Sequence, residues 1–170
     1  MDKHPGIGKN LLAAEHQTNY LEEGSGKPLF LLHGSGPGVS AWTNWGKVMP
    51  ELSSHFRVIA PDIAGFGFTE FKADSKYDIK LWVRHLTGIM DALGIDKASF
   101  VGNSFGGALS IGLALFAPSG WTSWCSLAPR PVSSCRPRAC VRPGSTSRPW
   151  KTWKRPCVSS RSTRTSSPRR

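Results

Sequence analysis

The segment Gly102-Asn103-Ser104-Phe105-Gly106 constrains this chain more than any other. It lies between the apolar run Ala98-Ser99-Phe100-Val101 and the small-residue stretch from Gly107 to Ala117. A strand, then G-x-S-x-G, then a helix is the context in which this short pattern forms a nucleophile elbow. The two glycines leave room for a sharp, strained turn that lifts the serine hydroxyl to the top of a sheet. Ser104 is therefore the candidate nucleophile. A serine needs a base, yet no His, Asp or Glu follows Ser104 in the sequence.

The residues before the elbow alternate between strand and helix signals. Leu11 to Glu15 and Thr18 to Glu22 read as a short strand pair, followed by a Gly24-Ser25-Gly26 turn. Leu29-Phe30-Leu31-Leu32 is wholly apolar, as a strand buried on both faces requires. A helical stretch over about 41–52 and a strand from Phe56 to Ala60 come next. Between Asp78 and Leu93, the apolar residues Ile79, Trp82, Val83, Leu86, Ile89, Met90 and Leu93 recur every three or four positions. That spacing predicts a helix with Asp78 as N-cap and Gly94 just past its end. The pattern as a whole predicts an α/β fold with a mostly parallel sheet flanked by helices.

Charge divides the chain in two. Residues 1–118 hold 10 Lys/Arg against all 11 Asp/Glu, a net −1, whereas residues 119–170 hold 12 Lys/Arg and no acid, a net +12. All four cysteines lie in the second part, as do prolines at 129, 131, 137, 143, 149 and 156. Such a composition cannot bury enough apolar surface to offset its ordering entropy, so the expectation is a core over 1–118 and a disordered basic tail over 119–170. Basic charge with tryptophans suits a polyanion, but charge alone gives non-specific binding, so no specific nucleic-acid partner is expected. The cysteine spacings match no zinc pattern and no histidine accompanies them, so no metal site is expected. The first residues lack the basic-then-apolar order of a signal peptide, and no uninterrupted apolar run approaches membrane-spanning length. The expectation is a cytoplasmic protein with no membrane partner.

Two glycine-rich loops follow strands. His33-Gly34-Ser35-Gly36-Pro37-Gly38 lets backbone N–H groups approach a developing oxyanion, and the N–H of Phe105 would supply the second donor. The loop lacks the Lys-Ser/Thr ending of a phosphate loop. His33, ending a buried strand, is expected to order the loop through a ring hydrogen bond rather than act as base. His85 is expected on the flank or surface of its helix. Asp62, in Ala60-Pro61-Asp62-Ile63-Ala64-Gly65-Phe66-Gly67, is expected to cap the turn.

Together these stretches resemble the meta-cleavage-product hydrolases, α/β-hydrolase-fold enzymes of bacterial aromatic degradation. The residues that carry the likeness are His33-Gly-Ser-Gly-Pro-Gly-Val-Ser-Ala-Trp, Arg57-Val-Ile-Ala-Pro-Asp, Met90-Asp-Ala-Leu-Gly-Ile and Val101-Gly-Asn-Ser-Phe-Gly-Gly. It runs from about Ile7 to Pro118 and looks nearest to the 2-hydroxymuconate-semialdehyde hydrolases. The resemblance implies hydrolysis of a carbon–carbon bond in a 2-hydroxy-6-oxo-dienoate, a small-molecule ring-fission product, with no metal or organic cofactor. It implies Ser104 as nucleophile, Gly34, Ser35 and Phe105 around the oxyanion, and Gly36 and Asn103 at the substrate. The family's acid and histidine lie after the elbow, where this chain has neither, so little or no turnover is expected. The elbow strand is expected to be an exposed sheet edge. A family homo-oligomer does not carry over. Two alternatives stay open: a non-catalytic scaffold with a polyanion-binding tail, and an esterase-like relative on the same fold.

The tail also carries a reading-frame signature. Trp has a single codon ending in G, so moving each codon boundary back one base forces Asp from Trp121-Thr122. It likewise forces Glu from Trp150-Lys151 and from Trp153-Lys154. The acids missing from the tail reappear in the shifted frame, which points to a one-base slip at about Pro118.

Overall fold

Alternation along the apolar strands decides which face each residue serves, because successive side chains point to opposite sides of a sheet. The computed structural model describes residues 4–117 and the backbone of 121–127. Strands β1 (Lys9–Ala13), β2 (His16–Glu23), β3 (Pro28–Leu32), β4 (Arg57–Pro61), β5 (Ala98–Asn103) and β6 (Trp121–Leu127) form one sheet in the order β1-β2-β4-β3-β5-β6. β1, β2 and β4 pair antiparallel, and β4, β3, β5 and β6 pair parallel. Helices α1 (Ala41–Trp45), α2 (Met49–Leu52), α3 (Ile79–Ala92) and α4 (Phe105–Phe116) complete the described elements.

Leu29, Leu31, Val58 and Ala60 face α1 and α2, packing with Ala41, Trp45 and Met49. Phe30, Leu32, Ile59 and Phe100 face the other way and pack with Val83, Leu86, Ile89 and Met90 of α3 and Leu109 and Leu113 of α4. The Phe30 and Phe100 rings stack with centroids 5.2 Å apart, an arrangement that adds roughly 0.5–1.5 kcal/mol beyond burial. The all-apolar β3 is thus a central strand covered on both sides.

The expected strand pair is the β1–β2 hairpin, turned at Ala14 and Glu15 with φ of +45° and +68°. The helix expected over 41–52 is two short ones instead. Pro50, with no N–H to give the Gly46 carbonyl, prevents a continuous helix and starts α2. α3 begins where expected, with Asp78 Oδ1 accepting from the N–H groups of Lys80 and Leu81 at 3.0 Å each. Gly94, at φ +63°, follows its end.

The largest correction concerns the start of the tail. Residues 121–127 form β6, parallel to β5, so the elbow strand is paired on both sides and is no sheet edge. The sequence Trp-Thr-Ser-Trp-Cys-Ser-Leu has no charge and no proline, and its aromatic and β-branched content suits a strand. Averaging composition over 119–170 hides it, because prolines and arginines begin only at Pro129 and Arg130. The expectation of disorder over the remaining tail lies outside the described residues. No described helix is long and apolar enough to cross a membrane.

Candidate active site

β5 runs straight into the elbow. Ser104 has φ +51° and ψ −108°, a conformation that costs a non-glycine residue on the order of 1–3 kcal/mol. The glycines two residues to either side permit the turn because they lack side chains. A Cβ on Gly102 would overlap the Gly106 carbonyl, and one on Gly106 would overlap the Leu32 carbonyl of β3. The turn leaves Ser104 exposed at the C-terminal end of the parallel strands. Phe105 opens α4, and its N–H at the first helical position has no intrahelical partner.

The loop after β3 lies against this turn. A Cβ on Gly34 would stand 3.4 Å from Asn103 Nδ2 and 3.7 Å from Ser104 Cβ. Asn44, at the end of α1, ties the two segments together: its Oδ1 accepts from Gly34 N–H at 2.9 Å and from Asn103 Nδ2 at 3.1 Å. The Gly34 amide is therefore committed to Asn44. Gly36 lies in a neighbouring cavity of about 510 Å³, which also holds His4, Ser40, Gly65 and Phe68, between the loops after β3 and β4. Ser104 and Asn103 stand outside that cavity's lining.

Asp62, fully buried at the end of β4, does cap its turn, accepting from Phe68 N–H at 2.8 Å. It does more than the sequence suggests. Its other oxygen accepts from Ala41 N–H at 2.6 Å, at the start of α1, and Asn19 Nδ2 of β2 donates to Oδ2 at 2.9 Å. One carboxylate thus holds three segments of the rim, and none of its bonds leads to Ser104.

No described imidazole hydrogen-bonds Ser104. His33 orders its loop as expected, with Nδ1 donating to the Gly34 carbonyl at 2.6 Å and Nε2 accepting from Ile63 N–H at 2.9 Å. Burial holds its pKa below the usual imidazole value, against opposing pulls from the Gly34 carbonyl and Asp62. His85 is no flank residue. It is fully buried, between Thr18 and Ala64, and burial with the nearby His16 pushes its pKa down to about 3. His16 is buried as well, with Nδ1 bonded to the Ala14 carbonyl at 2.8 Å. His4 accepts from Gly6 N–H, and its ring lies tilted against Phe68 at the cavity, with centroids 5.0 Å apart. His55 is exposed just before β4, at the opposite end of the parallel strands from the elbow. Among the described residues no group of three His, Cys, Asp or Glu side chains could hold a metal ion.

Sequence reasoning missed Asn44, Trp82 and His85 as parts of this site. His85 was findable, because it sits three residues after Trp82 on the apolar stripe. Trp82 does pack there, its ring edge-on to Phe105 at 4.8 Å. Asn44 gave no such signal.

A strand, a strained serine turn between two obligatory glycines, and a glycine loop laid against it define an α/β hydrolase. The chain belongs to the alpha/beta hydrolase fold family, whose pattern it matches over residues 27–142. It is 55% identical over 112 residues to the 2-hydroxy-6-oxo-2,4-heptadienoate hydrolase of Pseudomonas putida, covering 66% of this chain and 41% of that protein. It is 52% identical over 114 residues to the 2-hydroxymuconate semialdehyde hydrolase of a Pseudomonas species, covering 67% of this chain and 40% of that protein. A serine-to-alanine variant of the meta-cleavage product hydrolase from Pseudomonas fluorescens IP01, solved with acetates, matches with a TM-score of 0.70 at 50% identity. That match covers 71% of this chain and 44% of the solved one. The chain spans about two fifths of the length of the curated relatives it matches.

Proposed function

We propose that this chain carries the nucleophile half of a meta-cleavage product hydrolase, one that cleaves a carbon–carbon bond in a 2-hydroxy-6-oxo-dienoate. The observation that carries the reading is the elbow: Ser104 at φ +51°, with the glycine loop of Gly34 packed against it. The names of relatives at 55% and 52% identity supply the substrate class. In this reading the dienol tautomerises to a ketone, and Ser104 Oγ adds to the remote carbonyl. The oxyanion that forms would accept from the N–H groups of Phe105 and Ser35, the donors left once Gly34 N–H is bonded to Asn44. The Ser104 hydroxyl proton passes to a base and from it to the dienolate that carbon–carbon cleavage expels, giving a 2-hydroxypentadienoate, and water then frees the acid from the serine.

The missing part of this chemistry is the base. His33 and His85 have both ring nitrogens engaged, and residues 105–170 contain no His, Asp or Glu. The 170-residue chain is therefore expected to show no dienoate turnover above a Ser104→Ala control. We assign the lack of a base to the reading-frame slip at about Pro118. Restoring one base before codon 119 tests both ideas. The frame-restored protein should hydrolyse a 2-hydroxy-6-oxo-dienoate, and Ser104→Ala in that protein should lower kcat on the order of a thousandfold or more. A frame-restored protein that folds but leaves the dienoate intact would rule the reading out.

A further inference from the structure

Two consecutive backbone amides in the loop after β4 are held by buried imidazoles from different elements. Ile63 N–H donates to His33 Nε2 at 2.9 Å, and Ala64 N–H donates to His85 Nδ1 at 3.4 Å. The opposite nitrogens settle the tautomers. His33 Nδ1 faces the Gly34 carbonyl, which can only accept, so it carries the proton. His85 Nε2 lies 2.7 Å from Thr18 Oγ1, whose own proton goes to the His16 carbonyl at 3.0 Å, so Nε2 is the donor there. Both rings are neutral, in opposite tautomers, and each aims one lone pair at the loop.

α3 grips the same place twice. Trp82, one turn before His85, donates Nε1–H to the Ala64 carbonyl at 3.1 Å. Both polar groups of the fully buried Ala64 are thus satisfied by α3 side chains, with no ladder or helix partner needed. The loop continues into Phe66, whose ring lies 5.5 Å from His33 and 5.8 Å from Phe105. Trp82 also meets Phe105 directly.

We propose that His33, His85 and Trp82 are positioning residues, which hold the 63–66 loop as a wall behind Phe105 and so keep the elbow N–H aimed at the oxyanion site. The link to the oxyanion rests on the proposed function; the clamp on the loop does not. An imidazole lone pair is required at each point because the group facing it is a backbone donor. A protonated ring would place donor against donor. The titratable groups that face the two rings are His16, edge-on to His85 at 6.1 Å, and Asp62, beside His33.

The test is amide hydrogen exchange on the full chain with paired variants. Asn puts an acceptor oxygen where Nδ1 stands, and Gln puts one where Nε2 stands. His85→Asn and His33→Gln therefore keep the acceptor, whereas His85→Gln and His33→Asn displace it. The displaced variants should exchange about tenfold faster than their matched partners, the worth of one hydrogen bond. The effect should reach Ile63 or Ala64, the Phe66 amide, and the Ala108 amide that donates to the Ser104 carbonyl. Equal exchange in matched and displaced variants overturns the proposal, as does acceleration that never reaches Ala108. If the variants do not fold, imidazole ¹⁵N shifts of the wild-type chain decide at pH 7. His33 as Nδ1–H with His85 as Nε2–H supports the clamp, and either reversed tautomer or a charged ring overturns it. Dienoate chemistry enters none of these readouts, so a failure of the proposed reaction leaves them standing.

Discussion

Asn103 Nδ2 donates to Asn44 Oδ1 across 3.1 Å, and the same oxygen accepts from Gly34 N–H at 2.9 Å. A residue at the end of α1 therefore joins the elbow to the loop after β3. Asn44→Ala removes the acceptor and leaves two partly buried donors without a partner. The expected loss is about 1–3 kcal/mol, read as a lower urea midpoint with an unchanged m-value. Asn44→Asp should be milder, because the acceptor survives. An Ala variant as stable as wild type would show that this joint holds nothing.

Glycines along the chain should differ sharply in what they tolerate. At Gly106 a Cβ would overlap the backbone carbonyl of Leu32, which cannot move without breaking β3. Gly106→Ala is expected to cost about 4 kcal/mol or more, at the diagnostic end of single substitutions. Gly94 has open space around it and only its φ of +63° to defend, so Gly94→Ala should cost about 1–2 kcal/mol. Thermal or urea unfolding of the two variants side by side checks the order. Equal losses would mean that the elbow backbone gives way more easily than its geometry requires.

The legible parts of this molecule were those with local causes. Leu29 to Leu32 declared a central strand by having no polar residue, and Asp78 with Gly94 bracketed α3. The elbow was legible because its glycines have one purpose at that spacing. Asn44 was not, since its two partners lie 10 and 59 residues away and meet only when β3 and β5 pair. His85 was misread because a polar residue type outweighed its position on the buried stripe. β6 was lost inside an average taken over a tail whose first residues differ from the rest.

Mild acid should loosen the fold through its buried imidazoles. The pKa of His85 is about 3 in the folded chain, against an ordinary value of 6.5, because burial and His16 oppose its charge. Its folded value lies below its unfolded one, so the unfolded state binds the extra proton between those pH values. The contribution is complete above pH 6.5 and is lost as pH falls towards 3, with a slope of about 1.4 kcal/mol per pH unit. His33, lowered in the same direction by burial, adds to the same window. Urea midpoints measured between neutral and mildly acid pH should therefore fall, and more gently in His85→Phe. A wild-type profile flat across that range would contradict the buried neutral rings.

Glu22 should act only at lower pH. Its burial raises the carboxyl pKa, but hydrogen bonds from Lys9 and Arg57, both at 2.7 Å, outweigh that and hold it below the ordinary 4.5. A depressed carboxyl contributes stability that is present above its unfolded pKa and disappears as pH falls through the folded one. Glu22→Gln should thus be less stable than wild type at neutral pH and equal to it in strong acid. Lys9 is well exposed, so the neutral-pH difference should stay near 1 kcal/mol. A difference that persists into strong acid would assign the effect to packing rather than charge.

The reading frame offers the sharpest outcome, because single-codon Trp fixes residues in both frames. In the present frame residues 121–127 pair with β5 through a register that shifts between Ala98 and Ser99. In the frame displaced by one base, Trp121-Thr122 must read Asp. Trp124-Cys125 must read Val, since the last base of the Trp codon precedes the first two of either Cys codon. A β-branched residue at that point suits a parallel strand beside β5 as well as the present sequence does. Sequencing the gene across codons 115–122 on both strands, and onward past the present stop, should reveal an extra base near codon 119. The open frame should then continue with His and Asp codons for the residues that Ser104 lacks. An unaltered gene whose displaced frame stops early would mean that Ser104 never had a base to work with, and the proposed reaction would fall with it.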